Sequence, residues 1–208
     1  MTPAPLDEGY IKYQCDWQRA EPVALVQIAA LNACRQRLYA LGLIGMYDNG
    51  IGFGNLSQRC GDSSQFLISG TQTGHLPTLT AEHYTTVTAF DLDANWLACR
   101  GPIQASSESL THATLYAIAP TIQAIIHVHH RALWEHLRDR VPTTAHDCPY
   151  GTPEMAHEMQ RLYRDSDLPQ SRLLVMAGHA EGMISFGETL AAAEATLQQV
   201  RTAFLARI

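Results

Sequence analysis

A single α/β domain is the fold class this sequence predicts, and two kinds of observation point to it. Short apolar, β-branched runs at Phe66–Ser69, 121–126, 172–176 and 184–186 read as buried strands. Apolar residues at helical spacing occupy about 21–47, 110–118 and 189–205, between and around those runs. A chain of 208 residues with 46% hydrophobic and 16% charged content is long enough for one substantial core.

Taken in order, residues 1–20 form a polar leader, and the first eight lack the basic start and apolar core of a secretory signal. Val23, Leu25, Val26, Ile28, Leu31, Leu38 and Leu41 then mark a long amphipathic helix that ends near Gly45 or Asp48. Gly50, Gly52 and Gly54 alternate in the next segment, which suits either a plain hairpin turn or a loop that lets backbone approach a ligand. After the strand Phe66–Ser69, residues 70–74 make a turn rich in glycine and hydroxyls. Residues 84–102 read as short strands around a turn at 91–95. Ser106, Ser107 and Glu108 precede a helix carrying Leu110, Ala113, Leu115 and Ile118; serines there can cap it, and its free amides can bind an anion. Short helices at 131–138 and 152–163, strands at 172–176 and 184–186, and a closing helix at 189–205 complete the chain. Internal repeats and low-complexity segments are absent.

Charge narrows the function. The net charge is −6 and the only lysine is Lys12, so no basic stripe exists to neutralise nucleic-acid phosphates. Lys12, in the polar leader and far from every motif, is also a poor candidate for an imine-forming amine. Five widely spaced cysteines without a C-x-x-C pair read as reduced thiols. No apolar segment approaches the roughly 20 residues needed to span a bilayer, and a cytoplasmic protein without a membrane partner is expected.

The sharpest local signal is His127-Val128-His129 at the end of an apolar run. Side chains two apart on a strand share a face, so both imidazoles converge on one point. His179, at the end of another apolar run, is the best third donor. Three histidines with a vacant coordination position describe a catalytic zinc, one per chain, although imidazoles also suit manganese, cobalt or iron. His130 falls on the opposite face or in the next turn, and His112, one turn after Glu108, reads as a packed helix histidine.

Together, Gly54-Asn55-Leu56-Ser57, Ser69-Gly70-Thr71-Gln72-Thr73-Gly74, Ser106-Ser107-Glu108, His127-Val128-His129 and Gly178-His179 resemble the class II aldolase/adducin family in order and spacing, over about residues 24–197. That resemblance implies a three-layer α/β/α sandwich around a largely antiparallel sheet, and a homotetramer with active sites at subunit interfaces. It makes His127, His129 and His179 the metal ligands and Glu108 the catalytic acid/base. Asn55, Thr73, Gly74, Ser106 and Ser107 match the positions that bind the substrate phosphate. The implied activity is a zinc-dependent aldolase that cleaves a small ketose phosphate through a metal-stabilised enediolate. A dehydratase or decarboxylase, as in the family's methylthioribulose-1-phosphate dehydratases, uses the same chemistry, and an adducin-like interaction module is the non-catalytic alternative. The family's 4-epimerases carry aspartate where Glu108 stands, which argues against epimerisation. No tyrosine follows Tyr163, unlike the fuculose-type aldolases with their C-terminal tyrosine, and Tyr150 either serves a neighbouring subunit or packs in a turn.

Overall fold

The computed structural model describes residues 9–207. Its first half comprises β1 (Gln14–Arg19), α1 (Leu25–Ala40), β2 (Gly45–Met46), β3 (Gly52–Phe53), β4 (Asn55–Arg59), β5 (Phe66–Ser69), β6 (Tyr84–Asp91) and β7 (Trp96–Gly101). The second half comprises α2 (Ser109–Ile118), β8 (Ala124–His129), α3 (Arg131–Leu137), α4 (Pro153–Asp165), α5 (Leu168–Ser171), β9 (Leu173–Val175), β10 (Gly182–Gly187) and α6 (Leu190–Leu205). Eight strands make one sheet in the order β1-β7-β6-β5-β4-β8-β10-β9, while β2 and β3 form a separate small hairpin. β1 runs parallel to β7, and the other adjacent pairs of the large sheet are antiparallel.

Strand β8 positions the site, because it lies between β4 and β10 and is buried on both faces. Ile125 packs with Ile184 and Phe186 of β10, Leu110 and Tyr116 of α2, and Met155 and Met159 of α4. Ile126 and Val128 face the other way, onto Ile28 and Leu31 of α1, Leu133 of α3 and Leu197 of α6. Helices therefore cover both sides of the sheet, giving three layers. Burying each of these aliphatic side chains is worth about 2 kcal/mol, which holds β8 rigidly enough to fix the two imidazoles that alternate with them.

Several boundaries differ from expectation for local reasons. The first helix ends at Ala40 rather than near Gly45, because Gly42 turns left-handed at φ +69° and Leu43 N reaches back to Leu38 O. The alternating-glycine segment is the hairpin of β2 and β3 followed by β4, a strand that its polar sequence concealed. The polar leader lies partly outside the described residues, at 1–8; the rest of it holds β1. Mostly exposed, β1 is held by its ladder to β7 and by Trp17 Nε1, which donates to Gly101 O at 3.0 Å. β8 begins at Ala124 rather than 121, and α5 is a single short turn that the sequence did not suggest.

Candidate metal centre

His127 and His129 project from the α2 face of β8, and the antiparallel register sets them opposite Asn55 of β4 and Gly182 of β10, respectively. His179 arrives on the turn before β10. A β-carbon at Gly182 would come within 2.5 Å of His179 Cδ2 and 3.1 Å of His127 Cε1, so only glycine leaves room for both rings. The result is a compact trio. His129 Nε2 lies 3.0 Å from His127 Nε2 and 3.1 Å from His179 Nε2, and the three rings are buried.

Burial pushes the His127 imidazole down to about 4, helped back slightly by the Met183 carbonyl. Desolvation, then mutual repulsion, holds His129 and His179 well below the usual histidine range. All three rings are therefore neutral at physiological pH. His127 Nδ1 is 3.2 Å from Met183 O, which can only accept, so the proton sits on Nδ1 and the Nε2 lone pair turns inward. Lone pairs crowded this closely repel one another unless a cation lies between them. The donor set of three neutral imidazole nitrogens, all within 4.8 Å of one another, suits a divalent metal ion.

Glu108 completes the cluster from the N-terminal end of α2, with Oε1 3.4 Å from His179 Nε2. This contact is not an ion pair. Burial pushes the Glu108 carboxyl up to about 8 and His179 down, so both are uncharged near neutrality. Thr111 and Lys12 offset part of the upward push on Glu108, yet neither carboxyl oxygen has a hydrogen-bond partner in bonding geometry among the described residues. A buried acid held protonated and unpaired beside an imidazole trio has a proton available to transfer.

The residues expected to bind an anion divide into two groups. Asn55 is buried across from His127, and its Oδ1 lacks a partner among the described residues. Ser106 and Ser107 are buried just before α2; Ser106 Oγ accepts from Glu108 N at 3.3 Å, and Ser106 O accepts from Tyr13 Oη at 2.7 Å. Thr73 and Gly74 lie further back: Thr73 Oγ1 donates to Gly70 O, and the turn packs against Gly52 and Phe53, whose ring is 5.5 Å from that of His129.

Several contributors escaped the sequence reading. Arg35 is buried on α1 and donates to the carbonyls of Thr73, Gly74 and Pro77, pinning that turn. Its signal was present: a cation four residues after Leu31 and three before Leu38, on the apolar stripe. Lys12 is not remote from the motifs as expected. Its Nζ sits 3.8 Å over the Tyr150 ring, which lies 4.4 Å from the His179 ring, so the metal reading rests on the histidines and not on lysine's distance. Tyr150 packs in a turn, its hydroxyl donating to Tyr10 O and accepting from Tyr10 N. Tyr47 adjoins His129, with Glu181 beside it. His112 is a packed helix histidine, its Nδ1 2.7 Å from Ser57 Oγ, and His130 caps α3.

Comparison with known proteins bears on the family and the fold. Residues 30–208 match the family model described as the class II aldolase and adducin N-terminal domain. An L-fuculose 1-phosphate aldolase structure superposes with a TM-score of 0.67 at 18% identity, covering 89% of this chain and 88% of that one. YgbL from Klebsiella pneumoniae gives 0.64 at 19% identity, with 88% and 89% covered. The L-fuculose-1-phosphate aldolase from Thermus thermophilus gives 0.57 at 25% identity, with 86% and 93% covered. Curated protein sequences give no match. No helix among the described residues is long and apolar enough to cross a membrane.

Proposed function

Since the chain belongs to the class II aldolase and adducin family, we propose that it is a zinc-dependent lyase, an aldolase that cleaves a small ketose phosphate. The observation that carries this reading is the convergence of three neutral Nε2 atoms beside a protonated Glu108. A divalent ion held by His127, His129 and His179 would supply positive charge against the negative charge that develops on a substrate carbonyl oxygen. When the carbon–carbon bond breaks, the proton of the hydroxyl that becomes the aldehyde leaves to water, the bond's electron pair stays on the ketone fragment, and Glu108 delivers its proton to that carbon and then regains one from water. Asn55, Ser106 and Ser107, with Thr73 and Gly74 behind them, hold the phosphate through hydroxyls and backbone amides, which needs no lysine. We assign the protein to the cytoplasm and to a homotetramer by its family.

One observation favours a second reading. A carboxyl raised to about 8 is also suited to protonate a departing β-hydroxyl, which would make the enzyme a dehydratase; a decarboxylase would share the scaffold. An adducin-like, non-catalytic role is less suited to a chain that keeps all three imidazoles and the glutamate. Elemental analysis of the purified protein and a screen of ketose phosphates test the proposal. The aldolase predicts one divalent ion per chain and aldehyde release; loss of water or carbon dioxide without aldehyde selects the alternatives, and a metal-indifferent protein without turnover rejects both.

A further inference from the structure

Tyr47 stands just after β2, and its hydroxyl touches two groups of different character: His129 Nδ1 at 2.8 Å and Glu181 Oε2 at 3.2 Å. A carboxylate accepts hydrogen bonds, so the phenol proton goes to Glu181, and the phenol oxygen is left to accept from His129. His129 then carries its proton on Nδ1 and directs a lone pair from Nε2 toward the other two imidazoles. His127 reaches the same state through a backbone carbonyl; His129 has a side-chain relay instead.

Backbone geometry marks Glu181 independently. It holds φ +70°, the left-handed region, which strains a non-glycine residue. Glycine would relieve that strain, yet a glutamate stands there with its carboxylate on the Tyr47 hydroxyl. Phe53 adds a wall, its ring 4.6 Å from that of Tyr47 and 5.5 Å from that of His129.

We propose that Tyr47 and Glu181 are positioning residues that fix the tautomer and raise the donor strength of His129, and so set how tightly the trio holds a divalent metal. This rests on the metal-binding reading above and goes beyond it by assigning affinity to residues outside the trio. Removing an outer partner of a ligating histidine typically weakens metal binding about 10- to 100-fold.

The test uses the full chain with Tyr47→Phe, Glu181→Gly and Glu181→Gln, read by zinc competition against a chromophoric chelator and by nitrogen NMR of the metal-free imidazoles. Expected are an Nδ1-protonated His129 in the wild type, a mixed tautomer in Tyr47→Phe, and zinc affinity about tenfold or more weaker in Tyr47→Phe and Glu181→Gly. The metal-free melting temperature of Glu181→Gly should not fall, because the strain is relieved. Glu181→Gln keeps an accepting oxygen and should restore the tautomer and part of the affinity. Unchanged zinc affinity in both Tyr47→Phe and Glu181→Gly, or a wild-type His129 protonated on Nε2, overturns the proposal. If the wild type takes up no zinc, the metal reading fails by itself, and the tautomer measurement still decides the relay.

Discussion

Glu108 Oε1 and His179 Nε2 face each other across 3.4 Å as two neutral groups, an acid that keeps its proton beside a base that refuses one. Replacing Glu108 by Gln preserves shape and hydrogen-bonding capacity but removes the transferable proton. Turnover should fall by about 100- to 10,000-fold, while metal content and melting temperature hold. Full turnover by this variant would refute the acid/base role.

The imidazole trio makes a separate demand. His127→Ala or His129→Ala removes one of three donors, and each variant should be purified with little bound metal. Treating the wild type with a chelator should abolish activity reversibly and lower the melting temperature, because an ion bound only by the folded state adds its binding energy to stability. Calorimetry before and after chelation reads this directly, and identical transitions would count against the site.

Stability of the metal-free protein should peak near neutral pH and decline on both sides. Burial holds His127 at about 4 and also depresses His112, His129 and His179, whereas the unfolded chain protonates histidine near about 6.5. The unfolded state therefore binds more protons below that value, so stability is lost as pH falls toward 4, by about 1.4 kcal/mol per pH unit for each histidine fully titrating. Glu108 acts in the opposite direction: its proton is retained to about 8 in the fold, so stability declines as pH rises from the ordinary carboxylate range to that point. Four histidines outweigh one glutamate on the acid side; above about pH 6.5 Glu108 is opposed by Cys15, whose thiol the contact with Cys99 lowers to about 7, while the raised Cys34, Cys60 and Cys99 thiols add to the decline at higher pH. Urea titrations across this range would show the maximum; a flat profile would contradict the assigned protonation states.

Arg35 supports a different prediction. Arg35→Met keeps the apolar stem but leaves the Thr73, Gly74 and Pro77 carbonyls without their donor. A loss of about 2–4 kcal/mol is expected. If the turn serves substrate, KM should rise with metal content unchanged. A stability change with no effect on KM would confine Arg35 to structure.

Much of this was legible in the sequence, and the omissions have physical causes. Strands with β-branched runs, such as Phe66–Ser69 and β8, announced themselves, and so did the pairing of His127 and His129 on one face, because a period of two fixes it. β4 did not. Its face toward α2 carries Asn55, Ser57 and Arg59, none of them apolar; Ser57 and Arg59 are buried by pairing with side chains and carbonyls, and Asn55 is buried across from His127. β1 was hidden for the opposite reason, being an edge strand whose side chains are mostly exposed. The Tyr47–Glu181 relay joins residues 134 apart in the chain and has no local signature at all.

The parallel pairing of β1 with β7 has a practical corollary for anyone trimming this polypeptide to its family-matching segment, residues 30–208. Such a truncation would strip the hydrogen-bonding partner from β7 and leave a raw sheet border open to pairing with other molecules. It would also delete the Tyr13 hydroxyl that grips Ser106, two residues before Glu108, and the Lys12 ammonium above Tyr150, whose ring lies against His179. The amino-terminal stretch that the family model omits is thus a structural wall beside the candidate site, and the shortened protein should aggregate before any activity could be assayed.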